Sequence, residues 1–77
     1  MITKEETLKL LAENIRVERA RRKISQESLA EKANISTQHL YRIESEKVCP
    51  TILVVANIAM ALDIPIDKLL PLDELKK

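Results

Sequence analysis

The residues best able to do chemistry cluster in one short stretch. Gln38 and Arg42 are four residues apart, so in a helix they share one face. An amide can make two hydrogen bonds to an adenine edge and a guanidinium two to a guanine, while a threonine methyl, here that of Thr37, can meet the methyl of thymine. His39 is adjacent and can reach a phosphate or a base edge. Leu40 and Ile43 fall on the other side of the same turns, which leaves the polar face outward. Catalysis is poorly served. The chain has one His, one Cys (Cys49) and no Gly, so it carries no glycine-rich phosphate loop, no HExxH metal motif and no Ser/His/Asp set. A single Cys also excludes an internal disulfide and a Cys-based zinc site. Neither an enzyme nor a metal or other cofactor is expected. One Tyr with no Trp or Phe argues against modules that stack single-stranded bases on aromatic rings.

The elements that must hold these side chains are helices. Proline occurs only at 50, 65 and 71, and the apolar residues recur at helical spacing with no sustained strand alternation. Five helices are predicted, over about 5–22, 26–33, 37–44, 51–62 and 65–70, with 71–77 as a tail. In the first, Leu8, Leu11, Ile15 and then Arg19 form one stripe. Ser25 caps the second and Ser36 the third. Leu29, Ala30 and Ala33 face inward from the second, and Leu40 and Ile43 from the third. Pro65 sits near the first turn of the fifth. The link between helices two and three is only Asn34 to Ser36, which makes that pair a helix-turn-helix candidate. Asn34 stands where a positive φ is needed, and Asn tolerates it best after Gly.

At 77 residues, 45% hydrophobic and 32% charged, the sequence reads as one small folded domain, 1–77, with its core over about 5–70. There is no run of about 18 apolar residues, and acids interrupt residues 1–10, so neither a membrane span nor a signal peptide is expected. A cytoplasmic setting fits a domain this small without disulfides. Thirteen basic and twelve acidic residues give a net charge of only +1. Attraction to a polyanion must therefore come from placement. Residues 16–23 hold five basic groups and one acid, whereas 48–77 hold three basic and four acidic groups. A basic edge beside a helix-turn-helix is the footprint of backbone binding to a nucleic acid.

Residues 24–30 (ISQESLA), 35–44 (ISTQHLYRIE) and the later ALDIPIDKLL resemble the helix-turn-helix domain of the Cro and lambda-repressor type, over about 11–70. The resemblance implies an all-α, five-helix, lambda-repressor-like fold with the helix-turn-helix at helices two and three. It also implies a small standalone regulator that binds double-stranded DNA. In that architecture the start of the third helix enters the major groove, so Thr37, Gln38, His39 and Arg42 become the base-contacting candidates. Ser25 and Gln26, at the start of helix two, match positions that grip the DNA backbone, where free N–H groups and the helix dipole suit a phosphate. Arg21, Arg22, Lys23, Tyr41 and Lys47 are the further phosphate candidates. Arg19 falls in an apolar stripe and needs a partner if buried; the resemblance supplies Glu44. The family usually has Gly at three positions held here by Lys23, Asn34 and Glu46. Lys23 and Glu46 would carry strain at a positive φ.

The fourth helix is apolar on nearly all sides. A single core face would use Ile52, Val55, Ala59 and Leu62. Leu53, Val54 and Met60 are then surplus, with Ile66, Leu70, Leu72 and Leu75 following. Such a helix is usually covered on more than one side, so these seven residues are expected to form a homodimer interface. Dimers of this architecture read two half-sites about one DNA turn apart. The reading is a dimeric repressor of a near-palindromic operator. The alternatives are a restriction–modification controller or antitoxin of the same fold, or a protein-interaction module that has lost DNA binding. An RNA polymerase contact would fall on exposed acids such as Glu27, Glu31 or Glu46.

Overall fold

The computed structural model describes residues 1–75; the end of the tail, 76–77, lies outside them. The chain order is α1 (Lys4–Arg22), α2 (Gln26–Lys32), α3 (Thr37–Glu44), α4 (Ile52–Ala61), one 3-10 turn at Ile66–Lys68 and the single-turn α5 (Leu72–Leu75), with no strand among the described residues. Each of the first four helices begins with a hydroxyl cap. Thr3, Ser25, Ser36 and Thr51 accept from the backbone N–H of Glu6, Ser28, His39 and Val54 at 3.2, 3.0, 3.0 and 3.2 Å. Each satisfies a donor that the helix cannot pair internally.

The same four helices also end alike. Lys23, Asn34, Glu46 and Asp63 have φ of 55, 59, 62 and 58°. In each case this residue donates to the carbonyl three back and its successor to the carbonyl five back, as with Lys23 to Ala20 at 3.1 Å and Ile24 to Arg19 at 3.2 Å. This double bond pattern closes a helix most cheaply with glycine. A side chain in the left-handed region costs about 1–2 kcal/mol, so this glycine-free chain keeps its turns under local strain. Lys23→Gly is therefore expected to raise stability by about 1 kcal/mol, or roughly 4–8 °C in Tm. Thermal unfolding by circular dichroism checks this; an unchanged or lower Tm would mean that Lys23 makes compensating contacts.

One core lies between the helices. Leu11, Ile15, Leu29, Leu40, Ile43, Val55, Ile58, Leu62 and Leu69 are at most 3% exposed. Leu69 is held from the far end of the chain by Asn14, whose side-chain amide donates to its carbonyl at 3.0 Å. Two expectations change here. The fifth helix over 65–70 shrinks to one 3-10 turn, because Pro71 disfavours a helical Leu70 and has no N–H to continue the ladder. The core face of α4 is Val55, Ile58, Ala59 and Leu62, and Ile52 lies 70% exposed. Val54, expected on the surface, packs against the core instead. Ile52 and Val54 thus exchange roles. Only Asn57 breaks the apolar surface of this helix, so its sequence carries almost no period to fix its rotation.

Candidate nucleic-acid interface

The third helix is fixed on its inner side and open on its outer side. Leu40, Ile43 and Glu44 are buried, while Thr37, Gln38, Tyr41 and Arg42 are exposed. His39 is half-buried at the edge between the faces. Gln38 and Arg42 stand one turn apart on the open face, separated by about 6 Å along the axis. Two neighbouring side chains with bidentate capacity are thereby presented on a rigid element, with no acid between them.

Glu44 locks that helix in place. Its carboxylate accepts from Arg19 Nε at 3.1 Å and Nη2 at 3.0 Å, and from Gln26 Nε2 at 3.2 Å. The Arg19–Glu44 pair is 23% and 3% exposed, so it is partly withdrawn from water on one side and fully on the other. Arg19 Nη1 also donates to the Ile24 carbonyl at 3.2 Å, tying the turn before α2 to the same guanidinium. Arg16, which sequence reasoning counted only as part of the basic edge, donates from Nη1 to the backbone carbonyl of Glu44. A cation at the carbonyl end of a helix opposes the negative pole of its dipole. The signal for this role was the spacing of Arg16 and Arg19, three apart on α1 and hence neighbours.

The phosphate candidates divide. Ser25 is exposed at the start of α2, and its oxygen caps the helix; the hydroxyl hydrogen can still donate to an anion. Gln26 is half-buried and engaged with Glu44. Lys23 and Lys47 are exposed in the turns after α1 and α3. Arg21 and Arg22 both contact Glu18, a buried acid that sequence reasoning passed over. Arg22 Nη1 lies 2.6 Å from Glu18 Oε1, and Arg21 Nη1 lies 3.5 Å from Oε2. Its place in the stripe of Leu11 and Ile15, seven and three residues back, was the available signal.

The apolar surface lies on another side. Ile52, Leu53 and Met60 share the outer face of α4 at 70%, 67% and 75% exposure. Ile66 and Leu72 are also exposed, and Ile52, Ile66, Leu70 and Leu72 line one groove with Pro71. Leu70 and Leu75 are half-buried, Leu70 against the core. Among the described residues, no group of three or more His, Cys, Asp or Glu is placed to hold a metal. No helix there is long and apolar enough to cross a membrane.

Residues 15–69 match a family model described as helix-turn-helix. Among solved structures, the hypothetical transcription factor NHTF from Neisseria superposes with a TM-score of 0.83 at 24% identity, covering 99% of this chain and 91% of that one. The restriction-modification controller protein C.AhdI from Aeromonas hydrophila gives 0.78 at 24% identity, covering 80% and 94%. A point mutant of the restriction-modification controller protein C.Esp1396I gives 0.78 at 25% identity, covering 91% and 92%. No curated protein matches the chain in sequence.

Proposed function

Because the chain belongs to the Cro/C1-type helix-turn-helix family, whose match points to a DNA-binding regulator and not an enzyme, we propose that it is a homodimeric repressor of a near-palindromic DNA operator. The observation that carries this reading is the open face of α3. Thr37, Gln38 and Arg42 are exposed there, while the Arg19–Glu44–Gln26 network holds the inner face against α1 and α2.

In this mechanism Thr37, Gln38 and Arg42 meet base edges in the major groove, and His39 meets a base edge or a phosphate at its margin. Ser25, Gln26, Tyr41, Lys23, Lys47, Arg21 and Arg22 supply backbone contacts that set register without reading sequence. The exposed faces of α4 and the C-terminal turns pair two copies so that two α3 helices meet half-sites about one turn apart. Binding over a promoter would exclude polymerase. A controller of a restriction–modification system is the second reading. The likeness to C.Esp1396I, over nearly the full length of both chains, favours it, and such a protein would also touch polymerase. A cytoplasmic setting belongs to both readings.

Selection of bound duplexes from a random library at fixed salt tests the proposal. Two inverted half-sites about one turn apart are expected. Absence of any enriched sequence would overturn it in favour of a protein-interaction module. Within the enriched site, Arg42→Ala is expected to cost about 1–3 kcal/mol and to relax preference at one base pair. Binding measured across single-base operator variants decides this. A loss equal for every variant would make Arg42 a phosphate contact.

A further inference from the structure

Two acids are buried among the described residues, Glu44 and Glu18, at 4% and 8% exposure. The network around α3 accounts for Glu44. Glu18 has no part in that network. Its carboxylate contacts two of the proposed phosphate-gripping groups, Arg22 Nη1 at 2.6 Å and Arg21 Nη1 at 3.5 Å. Arg22 Nη1 also donates to the Glu18 carbonyl at 3.1 Å, which folds that side chain back along α1. Arg21 remains 71% exposed and Arg22 34%.

We propose that Glu18 is a fixed counter-charge that sets how strongly the protein holds DNA of any sequence. The proposal rests on the DNA-binding reading above. Affinity for duplex backbone grows with the number of cations that displace condensed counterions. A carboxylate within contact distance of two guanidiniums cancels about one of their charges. A surface acid would be screened and free to swing aside. Glu18 is neither, because its side chain is only 10% exposed and lies in the buried stripe of α1. The two arginines therefore present close to one net positive charge, with their remaining N–H donors still available to a phosphate. Glu18 restrains the attraction common to all duplexes and leaves the base contacts of α3 untouched.

The test is binding of the full chain to a mixed-sequence 20-base-pair duplex, followed by fluorescence anisotropy from low to moderate salt. Glu18→Gln keeps an acceptor for Arg22 and removes the charge. Its expected result is a log K against log salt slope steeper by about one, and binding up to about tenfold tighter near 0.1 M salt. Base preferences in library selection are expected to stay the same, which a disturbed α3 would not allow. Glu18→Leu fills the same buried position without charge and should behave alike. Equal or weaker binding by both folded variants overturns the role of Glu18, and so does failure of both to fold. A wild-type chain that binds no duplex at any salt overturns the DNA-binding reading itself, and this inference with it.

Discussion

Arg19→Ala is expected to destabilise the fold by about 3–5 kcal/mol, the usual penalty for leaving one member of a buried ion pair without its partner. Arg19 makes two parallel hydrogen bonds to Glu44, at 3.1 and 3.0 Å, and a third to the Ile24 carbonyl at 3.2 Å. Removing it strands a carboxylate that is 3% exposed with only the Gln26 amide, at 3.2 Å, left among its side-chain partners. A domain of this length has in total about 4–12 kcal/mol to lose. The melting temperature should fall by roughly 15–30 °C. Thermal denaturation followed by circular dichroism measures it, and a fall under about 3 °C would remove the pair from the structural account. The double variant Arg19→Met/Glu44→Leu is expected to regain most of the loss, since apolar residues of similar volume often replace a buried pair at little cost. The consequence reaches function, because the pair and Arg16 together attach the end of α3 to α1.

The second large effect concerns the face formed by Ile52, Leu53 and Met60. Leu53→Gln with Met60→Gln is expected to convert the proposed dimer into a monomer. Both side chains are two-thirds or more exposed, so each copy should keep its helical circular dichroism. Sedimentation should give 8.8 kDa for the variant and twice that for the parent. Affinity for a two-half-site duplex should drop about 10²–10⁴-fold, because the second half-site no longer binds at high effective concentration. Glutamine adds no charge, so the drop cannot come from repulsion of phosphate. A double variant that remains dimeric would place the interface elsewhere.

Local chemistry made the helix-turn-helix legible from the sequence. Ser25 and Ser36 mark two helix starts, and Asn34 marks the turn between them. The alternation of Leu40 and Ile43 with Gln38 and Arg42 orients the third helix. Its predicted range, 37–44, matches Thr37–Glu44, because a cap and a period are properties of neighbouring residues. The Arg19–Glu44 pairing spans 25 positions, and family resemblance, not spacing, suggested it. The family's usual glycine positions marked Lys23 and Glu46 as strained at a positive φ, and the fold accepts that strain at both, with φ of 55 and 62°.

Tertiary structure decided the rest. It turned Ile52 outward and Val54 inward, because an apolar helix carries no amphipathic signal and takes its rotation from what packs beside it. It buried Glu18 by turning inward the α1 face that also carries Leu11 and Ile15, although its pairs with Arg21 and Arg22, one turn later, are local. It reduced the fifth helix to a 3-10 turn, where Pro71 and the bond from Asn14 to the Leu69 carbonyl outweigh a helical pattern only a few residues long. The sequence by itself determined what each segment could do with its neighbours within about a turn. Which side chains meet across longer separations depended on how the helices share one small core, since burial and pairing energies are realised only when distant segments are brought together.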